Sequence, residues 1–147
     1  SNLTANINYG YTNATFRNYF HEEKQGSEII RTDYKGNHIP YTPSHTFSAG
    51  LQYSKLLNNC WLDQFTASAQ YSGAGKIWWT EKNDIGQDFY GTVNAKVGVR
   101  KGNIKLDVWT RNLLDADYTA FYFESFGNPY MHKGKPFQVG AEVSVAF

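Results

Sequence analysis

The chain has 147 residues, enough for one domain of ordinary size, and a formal net charge of +1 with no Lys/Arg run to indicate nucleic-acid binding. Aromatic residues make up 17% of it, and much of its other apolar content is small, which favours a wall over a packed centre. A single cysteine, Cys60, excludes an intrachain disulfide, and the lack of about 18 consecutive apolar residues excludes a transmembrane helix. A membrane β-barrel stays possible, because its strands give only a weak hydropathy signal.

Alternation of apolar and polar residues predicts about six strands and no helix. Successive side chains on a strand point to opposite faces, so a period of two indicates one apolar and one polar face. The polar faces carry mostly Thr, Ser, Asn, Gln and Gly, as a water-filled lumen would require. In chain order, the alternating segments cover residues 3–12, 47–54, 65–72, 89–99, 104–111 and 137–147.

The last segment is the most informative of the six. Its apolar parity consists of Phe137, Val139, Ala141, Val143, Val145 and Phe147. A strand of about ten residues, apolar on one face, is typical of a transmembrane β-strand. Aromatic residues also stand at the ends of other apolar faces, as Phe47 and Tyr53 do around Ala49 and Leu51. Because aromatic rings prefer the headgroup level of a bilayer, this placement favours a lipid-facing sheet.

The predicted connections alternate in length. Short turns join the second strand to the third near residues 56–60, and the fourth to the fifth at residues 101–103. Long connections cover residues 20–44, 73–88 and 119–135. Outer-membrane barrels have short periplasmic turns and long extracellular loops, so we expect the C-terminus to be periplasmic.

Six tilted strands are too few to close a membrane barrel, for which about eight is the small end. An open edge in lipid would leave unpaired backbone groups, each at a cost of several kcal/mol. The predicted fold is therefore an all-β, antiparallel, up-and-down transmembrane β-barrel segment of about six strands, which is only a part of a closed barrel. The remaining strands are either elsewhere in a parent protein or supplied by further copies.

Several segments resemble the C-terminal barrel region of TonB-dependent outer-membrane receptors. Each landmark is weak alone, but their order and spacing cover nearly the whole chain. They are residues 9–16 (YGYTNATF), 33–43 (DYKGNHIPYTP) with the strand opening at His45, 71–73 (YSG), 79–83 (WTEKN), 111–118 (RNLLDADY), 134–136 (GKP) and the terminal Phe147.

The resemblance implies that residues 1–147 are the C-terminal part of a barrel of about 22 strands with a plugged lumen. Such receptors import ferric siderophores, haem, cobalamin or carbohydrates across the bacterial outer membrane with TonB-coupled energy. The plug domain and the N-terminal segment that meets TonB have no counterpart here, so the function is assigned to the parent receptor. The expected partners are outer-membrane lipid, the remaining strands, the plug domain and TonB, with no nucleic acid.

The resemblance also implies a C-terminal assembly signal made of Phe147, Val145 and Val143, which the barrel assembly machinery would recognise. Its physical basis is an exposed final strand that pairs by edge addition, with the aromatic end as an anchor. An ordinary aromatic residue at a strand end remains the alternative.

Aromatic residues of the long connections are the candidate ligand contacts. They are Trp78, Trp79, Tyr122, Phe126 and Tyr130, with Tyr90 nearby. Aromatic side chains in loops could grip a flat or glycosidic ligand, or they could belong to the outer aromatic belt.

No enzyme chemistry is predicted, and the sequence indicates no catalytic, cofactor-binding or metal site. The four histidines show no ligand spacing, and no nucleophile motif or paired carboxylates occur. Lys105, Asp107 and Arg111 share one strand face, where an ion network within the wall or towards the plug is favoured over a substrate route. We expect the Arg111-Asn112-Leu113 segment to be structural and the loop carboxylates, such as Glu81 and Glu124, to be solvated.

Two other functions use the same alternation. A soluble β-barrel or sandwich that binds a small ligand would turn the apolar face inward, but it would need large aliphatic residues where this chain has Ala. A small structural outer-membrane barrel built from several copies would have no transport activity.

Overall fold

The computed structural model describes residues 2–57 and 61–147. The predicted turn at Cys60 lies outside the described residues. Within the described part of the chain, no helix is long and apolar enough to cross a membrane.

The described residues form twelve strands, all paired antiparallel. The six long strands are β1 (Asn2–Tyr11), β4 (His45–Leu56), β5 (Gln64–Gly75), β8 (Tyr90–Lys101), β9 (Ile104–Arg111) and β12 (Gln138–Val145). The six short strands are β2 (Phe20–Gln25), β3 (Glu28–Asp33), β6 (Ile77–Trp78), β7 (Gly86–Gln87), β10 (Thr119–Ser125) and β11 (Asn128–Lys133).

The long strands form one open sheet in the order β1-β4-β5-β8-β9-β12, so that each strand pairs with the next long strand along the chain. This confirms the six predicted strands and their up-and-down order. The sequence underestimates β5, which continues to Gly75 because Phe47 and His45 of β4 pair with Gly73 and Gly75. Residues 73–75 are Gly-Ala-Gly, which do not alternate between apolar and polar residues, so the sequence did not indicate that the strand continues.

The long predicted connections contain three hairpins that the sequence did not predict: β2–β3, β6–β7 and β10–β11. The alternation signal depends on one buried face, and the described residues of β3 and β11 are exposed throughout. The β10–β11 turn is a tight one, in which Phe126 (φ +50°) and Gly127 (φ +75°) both take left-handed conformations, as two-residue hairpin turns favour.

The sheet has no packed apolar core on either face. Ile7, Leu51 and Val143 on the apolar side are 73%, 50% and 65% exposed. The buried apolar cluster of the described residues lies instead among the long connections, where Ile77, Trp79 and Tyr122 pack together. The soluble-barrel alternative requires the opposite arrangement, with the apolar sheet face enclosed.

Candidate functional site

The candidate site has two parts: the polar face of the six-stranded sheet, and the long connections at one end of it. The register makes each face uniform across the sheet. One row of paired residues runs Ile7, Ala49, Tyr71 and Val93, and all four are apolar. The adjacent row on the opposite face runs Asn6, Gly50, Gln70 and Asn94. The sheet therefore has one apolar face and one polar face.

An ion cluster crosses the polar face near the short-turn end of the sheet. The Asp107 carboxylate accepts from Lys105 Nζ at 2.9 Å and from Lys96 Nζ at 3.1 Å, and Lys96 also lies 3.8 Å from Glu142. Asp107 is 2% exposed, so two ammonium groups compensate a buried carboxylate. The predicted ion network within the wall is confirmed for Lys105 and Asp107.

Gly98 makes room for this cluster. A Cβ at position 98 would collide with the Asp107 carboxylate and would lie 2.7 Å from the Thr66 hydroxyl oxygen. The Thr66 hydroxyl also donates a long hydrogen bond, 3.3 Å, to the Gly98 carbonyl. The absence of a side chain at position 98 therefore allows the carboxylate to lie against the backbone of β8.

A groove of about 520 Å³ follows the polar face between the ion cluster and the long-connection end. Polar groups of β1, β5 and β8 line it, including Asn6, Gln70 and Asn94. On its far side lie Trp109 and Arg111, with the Arg111 guanidinium 5.3 Å from the Trp109 ring centroid. Arg111 therefore stacks on an aromatic ring and stays outside the ion cluster.

Tyr41 joins the three long connections to one another. It belongs to the first of them (residues 12–44), and its N–H donates to the Trp78 carbonyl in the second (residues 76–89) at 2.8 Å. Its hydroxyl donates to the Tyr122 carbonyl in the third (residues 112–137) at 3.1 Å, and its ring stacks on Phe121. Tyr41 has a φ of +61°, an unusual conformation for a residue with a large side chain.

Amide side chains add further bonds between the connections. Asn83 pairs with the His38 backbone in both directions: its Oδ1 accepts from the N–H at 2.6 Å, and its Nδ2 donates to the carbonyl at 3.0 Å. Asn37 Nδ2 donates to the Glu81 carbonyl at 2.7 Å. Gln87 Oε1 accepts from the Thr119 N–H at 2.8 Å. The three connections thus form one bonded layer, which we call the loop layer.

Hydrogen bonds shift the pKa values of two titratable groups of the loop layer, the Tyr122 hydroxyl and the Asp84 carboxyl. The Tyr122 hydroxyl donates to Glu124 Oε1 at 2.8 Å, and this bond, with the burial of the ring, raises the pKa of Tyr122 to about 12. The Thr80 hydroxyl donates to Asp84 Oδ1 at 2.5 Å and lowers the pKa of the Asp84 carboxyl. Glu124 is exposed, as expected of a solvated loop carboxylate, and it also accepts a hydrogen bond from a buried tyrosine, which the sequence did not indicate.

The carboxylate of Asp63 links two turns at the short-turn end of the sheet. It accepts from the Gly102 N–H at 2.6 Å and from Lys101 Nζ at 2.9 Å, and these two bonds lower the pKa of the Asp63 carboxyl. Asp63 thereby connects the β4–β5 turn to the β8–β9 turn.

The five predicted ligand aromatics lie in different environments. Trp79 and Tyr122 are buried within the loop layer, at 6% and 3% exposed. Trp78 lies under Lys76, whose ammonium is 4.1 Å from the ring centroid. Phe126 is fully exposed at the tip of the β10–β11 hairpin, and Tyr130 stacks on Phe123 along that hairpin. Ligand contact stays a prediction for all five, and an exposed surface is available only at Trp78, Phe126 and Tyr130.

The Arg111-Asn112-Leu113 segment is structural at Asn112, as the sequence indicated. This residue has a φ of +47° and is buried. Its side chain accepts from the Ala116 N–H at 2.9 Å and donates to the carbonyls of Ala116 and Lys135 at 2.9 and 3.0 Å. Asn112 therefore ties the beginning of the third long connection to its end.

The proposed assembly-signal residues lie along the outer edge strand or just beyond it. Val143 and Val145 are 65% and 50% exposed on β12, and Phe147 is fully exposed. Val143 and Val145 share the apolar face, which agrees with the predicted parity. Recognition by an assembly machinery stays a prediction.

Sequence reasoning missed Tyr41, Asn83, Lys96 and Glu142. Lys96 and Glu142 stood on predicted polar faces, so parity identified their side of the sheet but not their partner, Asp107. Tyr41 and Asn83 lie within the landmarks 33–43 and 79–83, but the sequence did not indicate their contacts, which join residues about 40 to 80 positions apart. Within the described residues, no group of three His, Cys, Asp or Glu side chains is placed to hold a metal ion.

An open antiparallel sheet with one apolar and one polar face, and with long connections at one end only, is a segment of a β-barrel wall. The model of the family "TonB dependent receptor-like, beta-barrel" matches residues 1–113. The chain belongs to this family.

A solved structure supports the fold over the whole chain. The ferric yersiniabactin uptake receptor FyuA from Yersinia pestis superposes with a TM-score of 0.76 over 99% of this chain, at 14% sequence identity. The match covers 21% of the FyuA chain, so the present chain spans about a fifth of the length of that receptor. The predicted fold, a partial barrel of TonB-dependent receptor type, is confirmed.

Proposed function

We propose that this chain forms the last wall segment of an outer-membrane receptor that imports a scarce nutrient with TonB-coupled energy. The single observation that carries the proposal is the family match over residues 1–113. The candidate nutrients are ferric siderophores, haem, cobalamin and carbohydrates. A ferric siderophore is favoured among them, because the similar structure FyuA is described as an uptake receptor for one.

In the proposed arrangement the apolar face contacts lipid and the polar face borders the lumen and the plug domain. The loop layer lies on the extracellular side, and the short turns and the C-terminus lie on the periplasmic side. The lumen then presents the groove and the ion cluster to the plug, while Val143, Val145 and Phe147 are available to the barrel assembly machinery. This orientation follows from the difference in length between the two sets of connections.

The test is uptake by cells that carry or lack the receptor containing this chain. Iron-starved cells would be given ⁵⁵Fe-siderophores, with haem, cobalamin and maltodextrins tested in parallel. We expect accumulation of one of these solutes that requires both the receptor and TonB. Accumulation that is unchanged without TonB, or the same in cells with and without the receptor for every solute, would overturn the proposal.

A further inference from the structure

A second cavity, of about 360 Å³, lies where the polar face meets the loop layer. It is bounded by the ends of β8 and β9, the base of the β10–β11 hairpin and the start of β12. Its lining includes Asn94, Arg111, Tyr118, Lys135 and Gln138, and no Asp or Glu contributes to it. We call it the basic cavity.

Two of its cations are uncompensated. Lys133 is neutralised by Asp117 at 2.9 Å, but none of the ion pairs between described residues involves Arg111 or Lys135. The Arg111 guanidinium lies over the Trp109 ring. Stacking occupies the face of a guanidinium and leaves the N–H groups at its edge free to donate, often to both oxygens of one carboxylate.

The walls of the cavity are held in place by contacts outside it. Asn112 bonds the Lys135 carbonyl at 3.0 Å, which fixes the backbone that carries one of the two cations. The Tyr118 ring stacks on Tyr90 with centroids 4.1 Å apart and planes 8° from parallel. Gly134 lies directly against the Tyr118 ring, where a Cβ would collide with it. The cations are therefore carried on a backbone with little freedom to move.

From this arrangement we infer that the basic cavity binds the carboxylate or a similar compact oxyanion of an imported solute through Arg111 and Lys135. Its volume falls within the range of small-molecule sites. It shares Asn94 and Arg111 with the polar groove, and in the proposed orientation it lies between the loop layer and the lumen. The inference rests on the proposed function and adds the charge class of the solute.

The experiment uses the whole receptor that contains this chain, purified in detergent micelles, with citrate as the probe. Citrate would be titrated by calorimetry at low ionic strength, together with Trp fluorescence to follow Trp109. We expect Arg111→Gln and Lys135→Gln each to weaken citrate binding about tenfold, since each removes a charge-assisted hydrogen bond. Arg111→Lys keeps the charge without the bidentate geometry and should weaken binding less.

Lys35→Gln is the matched control, because it removes the same charge from an exposed position beyond the cavity and should leave citrate binding unchanged. Equal weakening by Lys35→Gln would indicate attraction by net charge alone and would overturn the site. A receptor that binds no citrate but loses thermal stability when Arg111 is replaced would also overturn the site. That result would mean that an acidic side chain of the receptor occupies the cavity.

The outcomes separate this inference from the proposed function, because binding is measured without transport. Citrate binding that depends on Arg111 in a receptor without TonB-dependent uptake would contradict only the proposed function. If the receptor takes up a solute but the Arg111→Gln and Lys135→Gln variants bind citrate as tightly as the parent does, only the anion site is contradicted.

Discussion

Asp107 and Glu142 stand directly opposite each other on β9 and β12, two carboxylates paired in register. Like charges in directly opposed positions destabilise a strand pair. Lys96, on the other side of β9, lies within ion-pair distance of both carboxylates and so compensates both. The strand pair at this edge of the sheet therefore depends on a residue of a third strand.

Lys96→Met should destabilise the receptor by about 1–2 kcal/mol, because it leaves Asp107 with one ammonium partner and exposes it to the charge of Glu142. The measurement is urea unfolding of the receptor in lipid vesicles. Lys35→Met, at an exposed position outside the strands and outside every ion pair between described residues, is the control and should have little effect. Adding Glu142→Gln to Lys96→Met should recover part of the loss. A double variant less stable than Lys96→Met would contradict the proposed repulsion.

The two faces of the sheet predict losses of stability of different size when a charge is introduced at adjacent positions of β5. Ala69 and Gln70 are both exposed neighbours, on the apolar and the polar face respectively. Ala69→Arg should cost about 2–4 kcal/mol, as a cation facing the middle of a bilayer does, whereas Gln70→Arg should cost less than about 1 kcal/mol. Folding yield and urea unfolding in vesicles would measure both. Equal effects of the two substitutions would refute the lipid-facing assignment.

Loss of the Tyr41 side chain should loosen all three long connections together. Tyr41→Ala removes the bond to the Tyr122 carbonyl and the stacking on Phe121, with an expected local loss of about 2–4 kcal/mol. Tyr41→Phe removes only the hydrogen bond, at about 1 kcal/mol. Amide hydrogen exchange of residues 76–89 and 119–133 in the receptor measures the effect.

Tyr130→Ala is the control for this experiment, because the described ring contact of Tyr130 is with Phe123 in its own hairpin. Its effect should stay within β10 and β11. If Tyr41→Ala accelerated exchange only in its own connection, the three connections would be independent of one another.

Alkaline titration should report the Tyr122–Glu124 bond. The pKa of Tyr122 is raised to about 12 from an ordinary value near 10, so the protonated tyrosine stabilises the loop layer. This contribution is fully present below about pH 10 and is lost as the pH rises through about 12. Absorbance of tyrosinate at alkaline pH should therefore lose a late component in Tyr122→Phe.

Glu124→Gln tests the cause of that shift. Because the hydrogen bond to the carboxylate is its largest cause, the pKa of Tyr122 should fall towards its ordinary value in this variant. A late component that is unchanged in Glu124→Gln would assign the shift to burial of the ring instead.

The sequence predicted those features of the fold that leave a pattern among neighbouring residues, and it did not predict contacts between distant residues. The two environments of the sheet impose a period of two on every long strand, so parity along β12 was sufficient to assign Val143 and Val145 to the apolar face. The described side chains of the β2–β3 hairpin are exposed, and the buried residues of β10, Thr119 and Tyr122, are three positions apart and so of opposite parity. Neither hairpin therefore gave such a signal. Trp79 and Tyr122 were predicted alongside Phe126 as loop aromatics, but two of these rings are buried and the third is fully exposed.

By itself, the sequence determined the number of long strands, the face to which each residue of a long strand belongs, and the resemblance to the receptor family. The strands and their faces depend on neighbours one or two positions apart along the chain, and the family resemblance depends on the order of landmarks along nearly all of it. The tertiary structure alone decided that Lys96 meets both Asp107 and Glu142, that Tyr41 joins three connections, and that Arg111 faces a cavity without acids. Such contacts depend on strand register and on loops closing over one another, and a local pattern of residues does not encode either.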